Sequence, residues 1–169
     1  VFPVGRYREP LPALARAHTI LLTRVDLTPP ERLAGWRRIV ARHAPAAAVF
    51  TSVHAVRGIT PPLPEGASSV GAFCGIGPPG AFFHTLKETG LRISESRAFA
   101  DHHAFRAWEL DSLFKKFRGP WVTTAKDLVR IQELDHFSRA SRDRIHVLEI
   151  ELRILEDREE EFLARVLEA

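Results

Sequence analysis

Three titratable residues stand together in the stretch RAFADHHAF, where Asp101, His102 and His103 follow a run that reads as a β-strand. In an open α/β sheet the carboxyl edge, just past a strand, is where ligands bind. An Asp-His pair there can orient an imidazole or share a proton with a reacting hydroxyl. A second junction of the same kind lies in WVTTAKDLVRI, which sets Thr123, Thr124, Lys126 and Asp127 between a strand and a helix. A lysine and two hydroxyls at a helix N-terminus suit an anionic ligand. The same residues also read as an N-cap threonine with Asp127 in the first helical turn, and the two readings are compatible.

Other stretches carry weaker chemistry. AFCGIGPPGAFFHTL holds Gly75, Gly77 and Gly80 in the spacing G-x-G-x-x-G, and Glu95 lies near the distance at which a ribose-binding carboxylate is expected. Pro78 and Pro79, however, remove two N–H groups from the place where a pyrophosphate would need them. The Asp-His-His triplet invites comparison with the DHH phosphoesterases, which use it to bind metal. A two-metal site needs further carboxylates, and the chain has no Asp-x-Asp. Thr23-Arg24-Val25-Asp26 is similar to the strand-end T/N-K-x-D of P-loop folds with arginine for lysine, while capping of the next helix by Asp26 and Thr28 explains it equally well. FPVGRYREPL sets Gly5, Arg6, Arg8 and Glu9 in a constrained, charged loop.

The elements that must position these residues alternate. HTILLTRVDL reads as a buried strand, TPPERLAGWRRIVARHAP as a helix with Leu33, Trp36, Ile39 and Val40 on one face, and AAAVFTSVHAV as a second strand. GITPPLPEGASS then reads as a linker. Beyond it come strand Val70–Cys74, helix Pro79–Glu88, strand Arg92–Phe99, helix Phe105–Phe117, strand Trp121–Thr124, helix Lys126–Leu134, strand Ile145–Leu155 and helix Glu159–Leu167. Such alternation predicts an α/β, three-layer fold: a mostly parallel sheet with helices on both faces. The expected division is 1–60, a linker at 61–69, and a smaller α/β domain at 70–169.

With 45% hydrophobic and 27% charged residues, the composition excludes a disordered or fibrous chain. The net charge is +3, with basic residues dense around Arg37, Arg38 and Arg42 and around Lys115, Lys116 and Arg118. These clusters could face phosphate or anionic lipid, or simply water; without aromatic interleaving, nucleic acid is not the expected partner. The single cysteine, Cys74, sits among apolar neighbours and reads as a buried spacer. There is no methionine, even at position 1, which makes a fragment or a processed product the expectation.

Taken in order, four segments resemble the tetraacyldisaccharide 4'-kinases, the lipid A 4'-kinases of Gram-negative envelopes. FPVGRYREPLPALARAHTILLTR is similar to the family's P-A-G-P-L-R-E-P segment and the strand after it. GAFCGIGPPGAFFHTLKETGL is similar to A-F-A-G-I-G-x-P-x-x-F-F-x-T-L-x-x-x-G. RAFADHHAF and WVTTAKDLVRI match F-x-D-H-H and T-T-E-K-D-A-V-K. The resemblance makes the glycine stretch a close-packed turn with Pro79 starting the helix, and not a dinucleotide site.

What the resemblance implies is transfer of the ATP γ-phosphate, with Mg2+, to the 4'-hydroxyl of a lipid A precursor disaccharide, by an enzyme held peripherally at the cytoplasmic face of the inner membrane. It implies a chain comprising the latter part of a P-loop kinase core and the domain closing over the cleft. The P-loop and the acidic base would lie upstream, together with most of the ATP and Mg2+ contacts. By the same resemblance His102, beside Asp101, assists that base, and Arg8, Glu9, Thr124, Lys126 and Asp127 line the nucleotide and substrate cleft. The chain departs from the pattern at Ala125, where the family has glutamate, and at Arg6, where it has proline.

Overall fold

The computed structural model describes residues 9–135 and 137–168. Six strands form one mostly parallel sheet: β1 (Thr19–Thr23), β2 (Ala48–Thr60), β3 (Ser69–Cys74), β4 (Arg92–Ala98), β5 (Trp121–Thr123) and β6 (Ile145–Ile154), hydrogen-bonded in the order β1-β2-β6-β5-β3-β4. The helices are α1 (Pro30–His43), α2 (Pro79–Lys87), α3 (Ala107–Lys116), α4 (Ala125–Gln132), the short α5 (Arg139–Arg142) and α6 (Glu159–Leu167). The expected alternation is present. The structure adds α5, two 3-10 turns at Leu11–Arg16 and Val25–Leu27, and a β2 that continues to Thr60.

Two compact units divide the chain, one reaching to His54 and resuming at Leu152, the other Ala55–Glu151. Compactness thus divides the chain elsewhere than the expected 1–60 and 70–169. The 61–69 stretch joins β2 to β3 inside the second unit, and the last residues group with the first unit. Their attachment is specific. The Leu155 amide donates to the Thr51 carbonyl (2.9 Å), and Arg158 donates to the Val49 carbonyl (3.0 Å) with its guanidinium 4.3 Å from the centre of the Phe50 ring. Phe162 of α6 meets the same ring edge-on at 5.3 Å. On α1 the predicted apolar face is the less exposed one, ending in buried Val40, while Arg37 and Arg38 are exposed. Thr28 does not cap α1: its hydroxyl donates to the Arg24 carbonyl four residues back, and Pro29 occupies the cap position.

In the second unit β3 is the central element, lying between β5 and β4 and parallel to both. Its residues alternate between two cores, as a strand covered on both faces requires. Val70, Ala72 and Cys74 pack with Phe82 and Leu86 of α2 and with Val122 and Leu148. Phe73 faces the other way, into Phe105, Leu110, Leu113, Phe114, Trp121, Ile131 and Phe137. The Trp121 indole stacks on Phe114 (5.1 Å, 10°), and its Nε1 donates to the Phe117 carbonyl (3.1 Å). It crosses Gly71 so closely that a Cβ there would come within 2.4 Å of the ring. The glycine is what lets the largest side chain of this core lie flat on the sheet.

Candidate functional site

Because β5, β3 and β4 are adjacent and parallel, the loops that follow them leave from one edge. Backbone bonds join those loops. The Phe99 amide donates to the Cys74 carbonyl (2.8 Å) and the His102 amide to the Gly75 carbonyl (3.2 Å), so the Asp-His-His loop lies against the glycine loop.

The third loop enters through Asp127. Thr124 caps α4 by accepting from the Asp127 amide (3.2 Å) and donates its own hydroxyl to Asp127 Oδ2 (2.8 Å). The Gly75 amide, 52 residues away in sequence, donates to the same oxygen (2.9 Å). Oδ1 accepts from Arg130 (3.1 Å). The Asp127 carboxylate is fully buried with three donors around it, so it joins β3 to α4 and turns away from solvent. Arg130 in turn donates to the Gly75 carbonyl (3.1 Å) and approaches His102 Nδ1 (3.2 Å).

The two histidines part company. His102 has a left-handed backbone (φ 58°) and an imidazole 82% exposed, its Nε2 3.9 Å from Asp101 Oδ1. His103 is packed instead: its ring stacks on Phe99 (4.8 Å) and its Nε2 lies 3.0 Å from Glu109 Oε2. Glu109 also accepts from the Arg106 amide (3.0 Å) at the start of α3. The triplet therefore does not converge on a shared point. Among the described residues no group of three His, Cys, Asp or Glu is placed to hold a metal ion.

Lys126 is exposed in the first turn of α4. Glu9, in the first unit, pairs with Arg16. Gly5, Arg6 and Arg8 lie outside the described residues. Cys74 is buried, and burial first of all pushes its thiol up to about 11, the behaviour of a spacer and not of a nucleophile. The Gly75 amide, which a dinucleotide would need, is already given to Asp127, and Pro79 begins α2.

Two members of this cluster escape sequence reasoning, Arg130 and Glu109. Arg130 stands three residues after Asp127, the spacing of a helical ion pair. Glu109 is the third helical residue of α3, where a capping glutamate is common. Either signal could have found them.

A parallel α/β sheet with a linked polar cluster where three adjacent strands end defines the class: an open α/β fold whose polar residues gather at the carboxyl ends of its strands. Within that class the chain belongs to the LpxK family, described as tetraacyldisaccharide-1-P 4'-kinase, whose model matches residues 1–168. It is 34% identical over 167 residues to the tetraacyldisaccharide 4'-kinase of Anaeromyxobacter sp. (strain K), covering 92% of this chain and 43% of that protein. To the enzyme of the same name from Rhodopseudomonas palustris (strain ATCC BAA-98 / CGA009) it is 40% identical over 140 residues, covering 78% and 38%. Among solved structures it resembles the "apo" form of LpxK from Aquifex aeolicus in complex with ATP, with a TM-score of 0.58 at 22% identity, over 98% of this chain and 48% of that one. The structural likeness concerns the fold. The chain spans less than half the length of these relatives.

Proposed function

We propose that this chain works as part of a tetraacyldisaccharide 4'-kinase, which transfers the γ-phosphate of ATP to the 4'-hydroxyl of tetraacyldisaccharide 1-phosphate, a lipid A precursor. The observation that carries the proposal is the convergence of three family-like segments, G-I-G, D-H-H and T-T-A-K-D, on one sheet edge through Asp127, Gly75 and Arg130. Phosphoryl transfer asks mainly for positioning and neutralisation of charge. Asp101, His102 and Lys126 are exposed polar groups of that edge, and the Arg130 guanidinium stands 3.2 Å from His102 Nδ1.

The 169 residues contain no G-x-x-x-x-G-K-[ST]. We therefore assign the phosphate cradle and the acidic base, with the contacts to the Mg2+ that would neutralise phosphate charge, to other residues of the full-length protein. The work would take place at the cytoplasmic face of the inner membrane with the enzyme bound peripherally, since the acceptor is a lipid. No described helix is long and apolar enough to cross a membrane.

The test is transfer of radiolabelled γ-phosphate to tetraacyldisaccharide 1-phosphate in detergent micelles by the full-length protein. Label in the disaccharide, dependent on the free 4'-hydroxyl, is the expected result, with none from the 169 residues alone. A folded full-length protein that leaves this acceptor unlabelled would refute the assignment.

A further inference from the structure

We propose that Arg130 is a positioning residue that holds His102 as a neutral imidazole with its proton on Nε2, so that His102 gives a hydrogen bond in the reaction and does not take a proton. The use of that hydrogen bond in phosphoryl transfer rests on the kinase reading above. The tautomer itself does not.

A guanidinium has five N–H donors and no lone pair to offer. A ring nitrogen 3.2 Å from the Arg130 Nη2 can therefore face it only as an acceptor, which leaves Nδ1 without a proton and puts the proton of the neutral ring on Nε2. Arg130 is not free to turn aside. Its Nη1 donates both to Asp127 Oδ1 and to the Gly75 carbonyl, each at 3.1 Å, and Asp127 is itself buried and held from its other side by Gly75 and Thr124. His102 is anchored to the same place, because its own amide donates to that Gly75 carbonyl. Imidazole and guanidinium thus share one anchoring carbonyl, with the His102 backbone left-handed (φ 58°). On the opposite side of the ring Asp101 Oδ1 lies 3.9 Å from Nε2, the side on which a proton-bearing nitrogen suits a carboxylate.

Nε2–H is consequently the edge that His102 presents outward. A nitrogen that already carries its proton cannot receive the one released by an attacking hydroxyl, and Nδ1 could receive it only by displacing the guanidinium. Nε2–H can instead hold a carboxylate base in place or meet a phosphoryl oxygen. A neutral amide donor at position 102 should do part of that work, whereas it could do none of the work of a base.

Two measurements decide. Long-range 1H–15N spectra of the 169-residue chain, with ring signals assigned by loss in His102→Gln, report the protonated nitrogen. A ring held almost wholly with Nε2 protonated and Nδ1 bare is expected in the wild type, relaxing toward the tautomer mixture of a free imidazole in Arg130→Met and kept in Arg130→Lys, whose ammonium is also a pure donor; a wild-type mixture no different from that of Arg130→Met would overturn the proposal. A wild-type ring protonated on Nδ1 overturns the proposal, even if Arg130→Met fails to fold. In the full-length protein Arg130→Met should lower kcat about 10–100-fold with the ATP KM unchanged, in keeping with the cost of a small misplacement. His102→Gln should keep much of the activity that His102→Ala loses. Arg130→Met added to His102→Ala should cost nothing further, since a residue acting through another has no separate effect. A His102→Gln as inactive as His102→Ala, or losses that simply add, would contradict it. If the wild type phosphorylates no disaccharide, the kinase reading fails alone, and the ring spectra still decide for or against Arg130.

Discussion

Removal of the Asp127 carboxylate is the sharpest test of whether the three loops are one structure. The group is fully buried and accepts from the Gly75 amide at 2.9 Å, the Thr124 hydroxyl at 2.8 Å and Arg130 at 3.1 Å. Hydrogen bonds to a charged group are worth about 1.5–3 kcal/mol each, but the carboxylate has also given up its hydration, so these do not sum. Breaking one side of a buried ion pair costs about 3–5 kcal/mol, because the partners are left unpaired. Here the Arg130 side chain is 26% exposed and Thr124 is half-buried, so both can recover some water, while the buried Gly75 amide cannot. Asp127→Ala should therefore cost about 3 kcal/mol, at the low end of that range. Asp127→Asn keeps an acceptor for Gly75 but turns an NH2 toward the guanidinium, and should lose about 1.5–3 kcal/mol, one charge-assisted bond. Urea unfolding followed by tryptophan emission gives both values. Hydrogen exchange at the Gly75 amide gives a local check, with protection falling in Asp127→Ala. A cost under about 1 kcal/mol with Gly75 still protected would mean that the carboxylate does not hold the loops together.

Two further substitutions probe the strand behind the site. Gly71→Ala would drive a methyl to 2.4 Å from an indole that is fully buried, stacked on Phe114 and bonded to Phe117, so a loss at or above the usual overpacking cost of about 1–3 kcal/mol is expected in the same urea titration; a neutral effect would show that Trp121 can move. Cys74 should resist iodoacetamide at pH 8 in the folded chain and react in urea. With its folded value raised to about 11 above an unfolded thiol near 8.5, its contribution is fully present below the unfolded value and is lost as pH rises toward the folded one. Cys74→Ala should accordingly flatten the fall in stability over that alkaline window, and an unchanged slope would count against burial as the cause.

The alternation of apolar strands and amphipathic segments was enough to place the main elements and the parallel sheet, because each of them satisfies a local pattern. Thr124 was legible as a cap for the same reason: the bond it makes is within one turn. What did not show was anything decided by register. Asp127 reads as a first-turn residue facing a ligand until the pairing of β3 with β5 brings the Gly75 amide to it, and Arg130 gains its role only when the β4 loop delivers His102. The return of the chain after β6 to Val49 and Phe50 was equally hidden, since nothing near Arg158 names a partner 109 residues away.

The glycine stretch shows how a motif can keep its spacing and lose its meaning. In a dinucleotide loop the glycines serve one ligand together. Here they answer to different neighbours. A Cβ on Gly75 would stand 3.2 Å from the Phe105 ring, 3.3 Å from Asp127 Oδ1 and 3.4 Å from His103 Cβ, which are residues of both other loops. One on Gly77 would stand 3.1 Å from Asp101 Oδ2, whereas Gly80 meets nothing within 4 Å. Gly75 also gives its amide to Asp127 and its carbonyl to both Arg130 and the His102 amide, so both of its backbone polar groups are spent on the protein itself. The Gly75 backbone therefore has no polar group left for a ligand at this edge. It follows that the three loops cannot change independently: a side chain at Gly75, a longer acid at Asp127 or a residue without a donor at Arg130 each reaches His102 through the same carbonyl or the same guanidinium.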